Sequence, residues 1–154
     1  MPDDRRRIPQ DPTYFQAIGL AAVAFARLEW DAVWCCERLE LGYIDTIDAE
    51  KKTAGRIASD LIKLFSRVTD PNIRSKIEPF SLEFKKIVLD RNGILHGKPG
   101  SLPNGDQRLF RSGVPWTIEA VDEFSDRCTR ASLPLNALLN NEFKEGSIVV
   151  LDPA

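Results

Sequence analysis

Histidine occurs once in this chain, at position 96, and cysteine three times, at positions 35, 36 and 128. With one histidine and no C-x-x-C pair, the common zinc-binding sets cannot be completed. No H-x-x-E-H or E-x-x-H pattern surrounds His96, which argues against a metal-dependent hydrolase, and serine-hydrolase chemistry lacks its G-x-S-x-G elbow. An excess of basic residues is also missing. The formal net charge of -2 argues against a broad cationic surface for non-specific nucleic-acid binding, although a small basic pocket or a groove shared by two subunits stays open. Internal repeats and low-complexity segments are absent, and no apolar run is long enough to cross a bilayer. No metal, cofactor or membrane contact is therefore expected.

What remains is a chain of 154 residues, enough for one domain with its own core. Cys35 and Cys36 are adjacent, so on a helix they point in different directions and read as small core fillers. An odd cysteine count fits a reducing cytoplasm. Arg5, Arg6 and Arg7 form a basic stretch within residues 1–11, read as a mobile N-terminal arm. The apolar run Ala17 to Ala26 follows it, but Asp3, Asp4 and Asp11 spoil a charged leader. The pattern also continues through Leu28, Trp30, Val33 and Trp34, as a buried helix would rather than a signal peptide.

Residues 12–146 read as an all-α bundle of about four main helices. Asp11-Pro12 places an N-cap acid before a proline suited to the first turn, and the helix it opens should run to about Leu41, stopping at Gly42. Its middle is apolar on nearly every side, which suits the central helix of a bundle. Asp48 is positioned to cap a second helix from about Ala49 to Val68. Asp70-Pro71 repeats the start signal for a third, ending at Gly97, with Pro79 set to kink or split it. Residues 98–116 change in texture. Pro103-Asn104-Gly105 is a turn signal, and extended pieces near Gln107–Arg111 suggest a small hairpin. Thr117 caps a fourth helix, with Trp116 and Val121 spaced as a hydrophobic staple, and Pro134 bends or restarts it. In the tail, 147–154, the stretch Ser147 to Leu151 is strand-like without an obvious partner.

The third helix carries the chemistry. At 100° per residue, Phe80, Phe84, Ile87, Val88, Ile94 and Leu95 form one apolar stripe, and Arg91 falls within it. A charge there needs a partner, a phosphate or a route to water. Asn92 and His96 are four residues apart and share a different face, flanked by Leu82 and Leu89. Imidazole exchanges protons near neutral pH, and guanidinium holds phosphate oxygens in a fork. The plain alternative is structural: His96-Gly97 as a helix C-cap, and Arg91 paired with Glu29 of the first helix.

Arg91-Asn92-Gly93-Ile94-Leu95-His96 resembles the R-x(4–6)-H motif of HEPN domains (higher eukaryotes and prokaryotes nucleotide-binding), including the polar residue after the arginine and the position late in a long helix. The motif spans six residues; the helical layout spans most of the chain, and Pro99 to Trp116 reads as an insertion. The resemblance implies a metal-independent endoribonuclease, often a toxin with an antitoxin partner or a defence effector. It also implies a homodimer in which two motifs share one cleft on RNA. Carried over, His96 deprotonates the ribose 2′-hydroxyl or protonates the leaving oxygen, Arg91 binds the scissile phosphate, and Asn92 orients one of them, leaving a cyclic phosphate end. Some HEPN domains are instead non-catalytic nucleotide-binding or protein-interaction modules. Gly93 inside the motif lowers helix propensity by up to ~1 kcal/mol relative to alanine.

Overall fold

The computed structural model describes residues 3–154; Met1 and Pro2, the start of the expected arm, lie outside the described residues. The chain is mostly helical, with a small antiparallel sheet. A 3₁₀ turn at Asp4–Arg6 precedes α1 (Pro12–Leu39), α2 (Tyr43–Ala49), α3 (Ala54–Ser66), α4 (Pro71–Leu95), β1 (Lys98–Ser101), β2 (Gln107–Arg111), β3 (Val114–Trp116) and α5 (Ile118–Asn140). The expected four-helix, all-α layout is thus coarser than the molecule. Five α-helices are present among the described residues, and the insertion is a three-stranded meander in the order β1-β2-β3.

Three expected caps form. The side chains of Asp11, Asp70 and Thr117 accept backbone N–H bonds from Tyr14, from Asn72 and Ile73, and from Ala120, satisfying donors the first helical turn leaves unpaired. The second helix differs from its expected form. Asp48 lies inside the short α2, and Thr53, accepting from Arg56 N–H, caps a separate α3. The break at Glu50–Thr53 is fixed by Lys52, whose ammonium sits 3.9 Å from the Tyr43 ring centroid and 3.3 Å from Asp60. Tyr43 and Arg56 also donate to Asp60, at 2.8 and 3.0 Å. This knot of charges clamps α2 and its exit loop onto α3.

α4 does not split at Pro79, and α5 does not restart at Pro134; each helix runs through its proline. A proline inside a helix costs about 3 kcal/mol. Burial of Ile77 and Phe84 on either side of Pro79 offsets this, at roughly 1.5–3 kcal/mol for each such side chain.

The core is one cluster. Phe25 of α1 stacks on Phe84 of α4 with centroids 6.3 Å apart, Phe65 meets Phe143 edge-on at 5.7 Å, and Trp116 meets Phe124 edge-on at 6.4 Å. Cys35, Cys36 and Cys128 are buried within it as free thiols. The tail does find a partner: Val68 and Leu151 form an antiparallel bridge, with Thr69 N–H donating to Val150 O at 3.0 Å.

α1 is not the enclosed central helix its composition suggested. Its inner side packs against α3 and α5, but the outer side leaves Leu20, Val23 and Trp30 at 59, 57 and 49 % exposure. The end of the α4 stripe is likewise uncovered, so Leu95 is exposed. No helix is long and apolar enough to cross a membrane, among the described residues.

Candidate functional site

His96 closes α4, and its capping bond is made by the backbone. Its N–H donates to Asn92 O at 3.0 Å, while Gly97 N–H donates to Ile94 O at 3.1 Å. The chain then enters β1 almost at once. Gly97 is required by this turn, because a Cβ there would lie 2.9 Å from Leu109 Cβ and 3.1 Å from Ile94 O. The helix end is pressed directly onto β2.

The hairpin is fixed from its far side. Arg108, only 7 % exposed, lies 4.5 Å over the Tyr14 ring and donates from Nη1 to Asp11 at 2.9 Å and to Gln107 O at 2.7 Å. Tyr14 O–H donates to Trp116 O at 2.7 Å and accepts Leu109 N–H at 3.2 Å. Asp11 thereby caps α1 and anchors β2 together. Its carboxyl is held below the usual carboxylate range by the Tyr14 N–H and, more weakly, by Arg108.

With the hairpin so placed, the exposed His96 ring opens onto a pocket of about 460 Å³, whose lining includes Asn92, Lys98, Phe110, Arg111 and Ser112. None of the lining residues is acidic. Arg111 comes back from β2 and lies across Gly93. An added Cβ at Gly93 would overlap Arg111 Cδ and stand 2.6 Å from Nη1 and 2.9 Å from Nε. Arg111 Nη1 donates to Leu89 O at 3.1 Å and lies 3.6 Å from Asp90. Asp90 is also paired with Arg127, which Glu83 grips in turn.

No protein-family model, curated protein or solved structure matches this chain.

Of the three residues singled out in the sequence, the fold brings Asn92 and His96 into one pocket and sets Arg91 apart. Arg91 is half-buried in the seam between α4 and α1, its guanidinium 4.8 Å from the Phe25 ring centroid, as expected for a charge within the apolar stripe. Its Nε is buried without a hydrogen-bond partner. Glu29 is the nearby acid. Burial pushes its carboxyl up, and Arg91 pulls it back only in part. The two do not form an ion pair within 4.0 Å among the described residues, so the simple Arg91–Glu29 bridge is replaced by a looser coupling.

Lys98 and Arg111 did not stand out in the sequence. One signal was present: alternation along Gln107–Arg111 puts Arg111 on the face opposite Arg108. Which face meets α4 depends on the pairing of Lys98 with Phe110, and that pairing is non-local. Among the described residues, no group of three or more His, Cys, Asp or Glu side chains converges as a metal site would require.

Proposed function

We propose that the protein is a metal-independent endoribonuclease of HEPN type, acting through His96. The observation that carries this reading is the placement of the only imidazole: exposed, at the rim of an acid-free pocket, with Asn92 beside it on the same helix face. An imidazole there can take a proton from a ribose 2′-hydroxyl or return one to the leaving 5′-oxygen. Attack of that 2′-oxygen on the adjacent phosphorus breaks the P–O5′ bond and leaves a 2′,3′-cyclic phosphate. Asn92 is within helical reach to orient the ring or a substrate oxygen. Arg91 contributes positive potential from the seam; direct contact with the scissile phosphate requires its side chain to leave Phe25.

Two proton-transfer groups serve this reaction better than one, and a symmetric homodimer supplies the second His96. Leu82 and Leu89 are exposed on the side of α4 that also carries His96, and in this reading they are the surface a second copy covers. A toxin or defence role with an antitoxin partner belongs to the reading through the family resemblance alone.

The deciding experiment incubates the protein with single-stranded RNA in excess EDTA and analyses the ends formed. Cleavage to 2′,3′-cyclic phosphate ends, lost in His96→Ala, is the expected result. Cleavage that persists in the variant removes His96 from the mechanism. A second reading, a non-catalytic HEPN-like nucleotide-binding module, is favoured by Arg91 stacking on Phe25 instead of lining the pocket. It expects RNA or nucleotide binding without turnover by the intact protein.

A further inference from the structure

We infer that the hairpin, not the helical motif, supplies the phosphate seat of this pocket: Arg111 and Lys98 hold a phosphodiester of single-stranded RNA against His96. The inference rests on the RNA-directed reading above and adds to it the residues that grip the strand.

Arg111 is already set for the task. The carbonyl of Leu89 and the bare backbone of Gly93 fix its side chain in place, so little rotamer freedom remains to be lost on binding. Only its Nη1 has a protein partner among the described residues, which leaves Nε and Nη2 free to form a fork. The nearest acid, Asp90, is shared with Arg127, so it neutralises Arg111 incompletely. Lys98, paired with Phe110 in the β1–β2 register, also lines this pocket. Two cations and an imidazole thus share an acid-free hollow in a chain whose net charge is -2. A hollow of about 460 Å³, open to solvent and with Phe110 among its lining residues, suits one nucleotide unit of an extended strand.

The test is binding of a fluorescein-labelled 2′-O-methyl RNA decamer, which lacks the attacking hydroxyl, followed by anisotropy in EDTA over a series of salt concentrations. Wild-type protein should bind. Arg111→Gln should weaken binding about tenfold. It should also lower the slope of log Kd against log salt by about 0.7, the share of one phosphate contact on a single strand. Lys98→Gln should lower the slope similarly. Arg111→Lys should keep the slope while still losing affinity, because the charge remains and the fork does not. Lys144→Gln, an exposed charge outside the pocket, should change neither quantity. No binding by the wild type, an unchanged slope in Arg111→Gln, or an equal loss in Lys144→Gln overturns the assignment. So does displacement of the decamer by submillimolar inorganic phosphate, which would mark a site for the free ion. Binding that depends on Arg111 without cleavage of the matching unmodified RNA leaves the seat standing and removes the nuclease reading; cleavage that ignores Arg111 does the reverse.

Discussion

Replacing Gly93 by alanine separates local helix energetics from the contact that crosses the helix. In isolation the change should stabilise α4, because glycine in a helix interior is up to ~1 kcal/mol worse than alanine. Here the new Cβ would fall among Arg111 Cδ, Nη1 and Nε, with Nη1 at 2.6 Å. The guanidinium must swing away, losing its 3.1 Å bond to Leu89 O and its 3.6 Å approach to Asp90. At a half-exposed site that bond is worth about 1 kcal/mol and the ion pair between about 0 and 1. The two effects nearly cancel, so Gly93→Ala alone should shift stability by less than about 1 kcal/mol. In an Arg111→Ala background nothing opposes the propensity gain, and the same change should add about 1 kcal/mol, or roughly 2–4 °C in Tm for a chain of this size. Urea melts of the wild type, both single variants and the double variant close the cycle, with an expected coupling of about 1–2 kcal/mol. An equal gain in both backgrounds would show that Arg111 does not lie over Gly93, and the pocket as described would lose its main cation.

Thr53→Ala should destabilise the protein by about 1 kcal/mol through loss of the α3 cap, whereas Asp48→Ala should stay within about 0.5; equal losses in chemical denaturation would restore Asp48 as the cap. At Asp60, burial raises the carboxyl's pKa, but hydrogen bonds from Tyr43, Arg56 and Lys52 outweigh it and hold the group below the usual carboxylate range. Its contribution to stability is therefore complete above the unfolded value of about 3.9 and is lost as pH falls through the lower folded value. Asp60→Asn should cost about 3 kcal/mol at neutral pH, since the nearly buried Lys52 loses its best partner, and should flatten the stability curve below pH ~4; an unaltered acid limb in melts between pH 2 and 7 would count against the clamp.

The start signals of α1, α4 and α5 were legible because a cap is written in adjacent residues: Asp11-Pro12, Asp70-Pro71 and Thr117 each form the bond their side chains allow. Asp48 failed because two cap-competent residues stood close together, and the choice of Thr53 depends on Lys52 finding Tyr43 and Asp60, contacts between separate elements. α1 misled for a related reason. Periodicity identifies an apolar face but not what covers it, and Leu20, Val23 and Trp30 face solvent in the single chain. At the site, the His96–Asn92 pairing followed from helical spacing. Gly93 was legible as a weak point in the helix or as room for close approach across a dimer; that the group crossing α4 there is a guanidinium from β2 of the same chain needs the hairpin's register.

The same register bears on whether one subunit suffices. The pocket is lined by one imidazole, one guanidinium and one lysine, and of these side-chain types imidazole is the one suited to proton exchange near neutral pH. The hairpin can therefore offset phosphate charge without supplying the missing second acid or base. If catalysis needs that second group, it comes from solvent at a modest rate or from another His96. Leu82 and Leu89 are exposed on the side of α4 that carries His96, so a copy docked there would lie near it, whereas Leu20, Val23 and Trp30 are exposed on a different helix, α1. The overall charge of -2 does not oppose either arrangement. Charges beyond a Debye length of about 8 Å are largely screened at physiological salt, so a strand entering this pocket responds chiefly to the acid-free lining and to Asp90, an acid already occupied by Arg127.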